Sequence, residues 1–92
     1  MRDQLPGAST SQFRALLLRA LKNQFPGLEP TIGPAERGIT FQLYASDGRA
    51  RTNVVSIYRQ SAQVLSRSGL RRRILNAGRP PGGFPAGLEF TG

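Results

Sequence analysis

The chain has no cysteine and no histidine, and it carries only five acidic residues in 92. Without cysteine there is no disulfide, no thiol nucleophile and no zinc site built on sulfur. Without histidine there is neither the commonest metal ligand nor the side chain best suited to proton transfer at neutral pH. The five carboxylates offer little for acid–base chemistry. Glu29 and Glu36 share one connection and come nearest to a pair, but their surroundings supply no supporting groups. The expectation is a protein that is not an enzyme, with no cofactor and no metal.

Long apolar runs are also missing. Nothing approaches the ~18 residues that a membrane-spanning helix needs. Leu16-Leu17-Leu18 is bracketed by Arg14 and Arg19, which disqualifies it as a signal-peptide core. An amphipathic start with arginine and serine has the look of an organellar transit peptide, but the same helix is needed to build a core. The chain therefore reads as soluble and cytoplasmic, with no membrane partner.

What is abundant is arginine. Net charge is +8, and its distribution is uneven. Residues 1–47 nearly balance, with Arg2, Arg14, Arg19, Lys22 and Arg37 against Asp3, Glu29, Glu36 and Asp47. From Gly48 to Leu88 there is no Asp or Glu, yet this stretch holds Arg49, Arg51, Arg59, Arg67, Arg71, Arg72, Arg73 and Arg79. Such a stretch repels itself in a compact domain unless it faces solvent or an anionic partner. The preference for arginine over lysine suits phosphate, through the planar fork of donors. A GC-rich genome gives the same bias.

Ninety-two residues with 38% apolar content make one small core and no deep pocket. Ser9, Thr10 or Ser11 can cap a helix that ends at Pro26-Gly27. Its apolar arc takes in Phe13, Leu16, Leu17, Leu18, Ala20, Leu21 and Phe25, with Arg14 inside the arc and Ala15, Arg19, Lys22 and Asn23 opposite. Three prolines and three glycines make residues 26–38 an irregular connection, with an extra edge strand available at 28–34. Ile39, Phe41, Leu43 and Ala45 then alternate with Thr40, Gln42, Tyr44 and Ser46, which is a strand with one wet face.

Asp47-Gly48 signals a two-residue hairpin. That loop pairs Ser46 with Arg49, Ala45 with Ala50, Leu43 with Thr52 and Phe41 with Val54. It gathers Tyr44, Arg49, Arg51, Gln42, Asn53, Thr40 and Val55 on the polar face. From Ser56 the period becomes helical, joining Ile57, Tyr58, Ala62, Val64 and Leu65 until Ser68-Gly69 breaks it. Leu70 to Ala77 reads as a second short helix, or a kinked continuation, capped by Gly78. The fold class is α+β, an α-β-β-α domain over residues 1–78. A flexible Gly/Pro-rich tail, 79–92, follows, in which Phe84, Leu88 and Phe90 are able to strap a groove.

Three constellations carry candidate chemistry. The polar hairpin face offers Tyr44, Arg49 and Arg51 to bases and phosphates. Arg71, Arg72 and Arg73, with Arg67 before and Arg79 after, make the densest positive site, although three consecutive residues fan around a helix. Arg59 adds charge between these regions. The tail segment Gly78-Arg79-Pro80-Pro81-Gly82-Gly83-Phe84 resembles arginine- and glycine-bearing segments that associate with nucleic acid. No phosphate-cradling loop precedes a helix.

These features lead to a small nucleic-acid-binding module that grips phosphates through arginine. The alternative is an inhibitor or adaptor of mobile-element type, of the anti-restriction or anti-CRISPR class, docking its basic face on an acidic or nucleoprotein partner. A structural subunit of a virion or ribosome is a third reading.

Overall fold

The architecture is described by a computed structural model for residues 10–35, 38–58 and 62–84. Helix α1 spans Thr10–Gln24, followed by strands β1 (Glu29–Ala35), β2 (Gly38–Tyr44) and β3 (Val55–Ile57). A 3₁₀ turn at Ala62–Leu65 leads into helix α2, Arg67–Asn76. The strands form one antiparallel sheet in the order β1-β2-β3, so the class is α+β. α1 lies against β1, α2 against β3, and the 3₁₀ turn touches both helices. No helix among the described residues is long and apolar enough to cross a membrane.

Period-two patterning sets the inner face of the sheet. Ile39, Phe41 and Leu43 of β2 are buried, as are Val55 and Ile57 of β3. They meet Phe13, Leu17 and Leu21 of α1, Phe25, Val64 of the 3₁₀ turn, and Leu70 and Ile74 of α2 in one continuous cluster. Both helices therefore cover the same face. The stripe on α1 is narrower than its sequence implies: Leu16, Leu18 and Arg14 are all exposed. One helix resting on one strand buries only the residues nearest that line of contact.

The 28–34 edge strand exists, as Glu29–Ala35, despite its two prolines. Leu43 accepts from Arg51 N–H (2.7 Å) and donates its own N–H to Thr52 Oγ1 (3.1 Å). Both bonds lie on the side away from β1. Pro30, opposite Leu43, and Pro34, opposite Ile39, thus occupy positions where no ladder donor is required. The same alternation leaves the free edge of β1 with two prolines where strand addition needs N–H groups.

The hairpin departs from the two-residue loop expected at Asp47-Gly48. Ala45 N–H donates to Arg49 O (2.9 Å) and Gly48 N–H to Ala45 O (2.9 Å), which closes a three-residue loop. Gly48 has φ +86°, and no non-glycine residue among those described has positive φ. This is a type I turn followed by a left-handed glycine, with Asp47 Oδ1 accepting from Arg49 N–H (2.9 Å). A two-residue loop would need Asp47 left-handed as well, and its carboxylate bond to Arg49 favours the alternative.

The consequence is a shifted register. Tyr44 pairs with Ala50, and after the irregular segment 51–54 the ladder resumes with Phe41 opposite Val55. Val54, expected inside, is 55% exposed, while Val55, expected on the wet face, is 1% exposed. Thr52 is buried as the register had placed it, but as a hydrogen-bond acceptor rather than as a packed face residue.

The helix expected from Ser56 is not formed there. Ser56 and Ile57 belong to β3, and among the described residues before α2 it is Ala62–Leu65 that turns, as 3₁₀. Val55 and Ile57 are β-branched and alternate with Ser56, a strand signal too short to outweigh the helical arc in sequence. Nor do Ser68 and Gly69 break a helix. Ser66 caps α2, its Oγ accepting from Gly69 N–H (3.1 Å) and donating to Gln63 O (2.9 Å). A β-carbon at Gly69 would sit 2.6 Å from Gln63 O, so the close approach of the 3₁₀ turn to α2 requires glycine. At the other end Gly78, with φ +96°, follows the helix as expected. Asn53 Nδ2 donates to Ala77 O (3.0 Å) and Gly78 O (3.2 Å), tying the β2–β3 connection to the end of α2. Beyond α2, Pro80 is buried and Phe84 packs on the core; Leu88 and Phe90 lie outside the described residues.

Candidate nucleic-acid interface

The sheet and the helices divide the charge between them. α1 contributes Arg14, Arg19 and Lys22, and the stretch from the 3₁₀ turn to Arg79 contributes Arg67, Arg71, Arg72, Arg73 and Arg79. Neither stretch contains an Asp or Glu. Among the described residues the acids are Glu29, at the start of β1, and Asp47, at the hairpin tip. Among the described residues the two helices therefore carry only cations, and the two carboxylates sit at the start of β1 and at the hairpin tip.

Helix geometry decides which cations face outward. At about 100° per residue, Arg72 lies about 160° from both Leu70 and Ile74, on the ridge of α2 opposite the core. Arg71 and Arg73 fall on the two flanks and are half-buried, while Arg72 and Arg67 are exposed. The expectation that the three consecutive arginines cannot share one face is thus met by this helix. On α1, Arg19 and Lys22 are exposed one turn apart on the side away from Phe13, Leu17 and Leu21. Arg79 is exposed just past the C-terminus of α2, beside a helix end that favours cations.

The hairpin residues are arranged differently. Tyr44 is half-buried on the outer face of the sheet, and its hydroxyl donates to Gln42 Oε1 (3.0 Å). Gln42 Nε2 in turn donates to Thr52 O (3.0 Å), so this polar row is hydrogen-bonded within itself. Ala50, not Arg49 or Arg51, stands opposite Tyr44. Strand alternation sends the flanking arginines to the other side. Arg51 is half-buried, and its guanidinium lies 3.4 Å from where a β-carbon on Gly82 would be. Arg49 is exposed at the loop. The expected grouping of Tyr44 with Arg49 and Arg51 is therefore not formed, because the three-residue loop shifts the register by one. Arg59 lies outside the described residues.

Reading charge along the chain overlooked Arg14, Arg19 and Lys22, because Asp3, Glu29, Glu36 and Asp47 offset them in a running sum. The available signal was the clean polar side of α1, which holds basic residues and no acidic ones. Two shallow concavities accompany these surfaces. One, lined by Gln63, Ser66, Ser68, Gly69 and Arg72, lies at the start of α2, and the other is on the outer sheet face around Gly33, Thr40, Gln42 and Val54. No group of three or more His, Cys, Asp or Glu residues able to hold a metal occurs among the described residues. Glu36, the potential companion of Glu29, lies outside them.

No family model matches the chain, and no similar protein is found among curated proteins or solved structures.

Proposed function

We propose that the protein is a non-catalytic nucleic-acid-binding module whose helical layer contacts phosphates. The observation that carries this reading is the segregation of charge. Cations spread over α1, α2 and Arg79, with no acid in the same segments, give a helical side that attracts a polyanion. The affinity of such a surface comes mainly from counterion release, so it is salt-dependent and weakly selective for sequence. The notable departure from a reading by sequence alone is that α1 joins α2 in the interface, while the hairpin face drops out.

Fluorescence anisotropy with a labelled oligonucleotide tests this. The triple charge reversal Arg19→Glu, Lys22→Glu, Arg72→Glu changes only exposed side chains and should leave the circular dichroism spectrum unchanged while reducing affinity by about a hundredfold or more at low salt. Retained affinity in the folded triple variant would refute the helical layer as the contact surface. If no oligonucleotide binds the native protein, an acidic protein partner takes precedence.

A further inference from the structure

We infer that the nucleic acid taken by this surface is double-stranded and is held by its backbone without base stacking. The inference rests on the phosphate-binding reading above, and it comes from where the aromatic residues are. Proteins that hold single strands without sequence preference combine a positive groove with aromatic side chains on which successive bases stack. Here the two features are on different faces. Phe13 and Phe25 are buried, and the segment 62–79 contains no aromatic residue. The large exposed apolar side chains of the helices are Leu16, Leu18 and Leu75, which are aliphatic. Among the described residues of the two helices, a splayed base brought against Arg19, Lys22 or Arg72 finds no exposed ring to stack on.

Among the described residues the exposed or half-exposed rings are Tyr44 on the outer sheet face, Tyr58 just past β3, and Phe84, which packs against the core. Within β1, β2 and β3 the outer-face positions are Glu29, Thr31, Gly33, Ala35, Gly38, Thr40, Gln42, Tyr44 and Ser56, with one carboxylate and no cation. That carboxylate, Glu29, is the register partner of Tyr44 and so shares its face. A base stacked on Tyr44 would carry its phosphates past Glu29. Tyr58 is 59% exposed and follows β3 beside Gly38, at the opposite end of β2 from Tyr44. Six residues of strand separate these ends by roughly 20 Å, too far for two rings to serve adjacent bases. A duplex requires no such platform. It presents one negative charge per ~1.7 Å of axis, so cations on either helix find phosphates without any base being unstacked.

The test is a competition at about 50 mM salt among duplex DNA, duplex RNA and the corresponding single strands of equal length, each in two unrelated sequences. The expected result is that duplexes of both sugars compete at least about tenfold better than their strands, with little sequence dependence. Tyr58→Ala, at an exposed position, should leave duplex affinity unchanged. Single strands binding as well as or better than duplexes would overturn the inference and leave the phosphate-binding reading standing. Failure of every nucleic acid to bind would overturn both.

Discussion

Replacing Thr52 by valine removes one oxygen and keeps the side-chain shape. Thr52 is 1% exposed, and its Oγ1 accepts the N–H of Leu43 at 3.1 Å. In a regular ladder a carbonyl of the neighbouring strand would do this, but the irregular segment 51–54 has carried the backbone out of step. Leu43 is fully buried, so water cannot take over. An orphaned buried N–H costs about 1–3 kcal/mol. The extra methyl group of valine returns at most about 0.8 kcal/mol. The net loss is therefore about 1–2 kcal/mol, which at a urea m-value of about 1 kcal/mol/M lowers the unfolding midpoint by about 1–2 M. Thr52→Ser keeps the acceptor and loses a methyl group. Urea denaturation gives the energy, and amide hydrogen exchange gives the cause. The Leu43 amide should be protected in the native protein and in Thr52→Ser, and unprotected in Thr52→Val. A valine variant as stable as the native protein, with Leu43 still protected, would refute the side-chain bond as the element that joins β2 to the irregular segment.

Other perturbations test the register and the close approaches. Val54→Lys should cost less than about 0.5 kcal/mol, whereas Val55→Lys should leave the protein unfolded or nearly so, because it buries an unpaired charge; thermal denaturation of the two separates the observed register from the one with Val54 inside. Gly38→Ala should destabilise by about 2 kcal/mol or more, since the added methyl group would land on the Ile57 backbone carbonyl, and calorimetry would show it. Asn53→Ala should cost about 1–2 kcal/mol by removing both bonds to the end of α2, with hydrogen exchange quickening first around Gly78.

Much of the fold was legible because periodicity was strong where it mattered. α1 ran between a polar cap and Pro26-Gly27, and β2 alternated without error from Ile39 to Leu43. What could not be read was governed by single hydrogen bonds. Asp-Gly is compatible with both a two-residue and a three-residue loop, and the choice decides whether Arg49 and Arg51 or Ala50 face Tyr44. A strand as short as β3 carries too few residues to show its period, so Ser56 and Ile57 merged with the helical pattern after them, while Val55 was carried to the wrong face by the two-residue register. The candidate site was half legible. The arginines of α2 were visible as a cluster, but that α1 covers the same face of the sheet as α2, with Arg19 and Lys22 exposed on its far side, is set by packing.

The most direct test of the central claim is the salt dependence of binding. Native protein should be titrated into a labelled duplex between ~50 and ~300 mM salt, and log Kobs plotted against log salt. With about five cations engaged from Arg14, Arg19, Lys22, Arg67, Arg72 and Arg79, the slope should be about −4 to −5. The triple charge reversal should reduce that slope by about 3. A flat dependence, or no binding at ~50 mM salt, would contradict the account and mean that the positive helical layer is not a phosphate-binding surface.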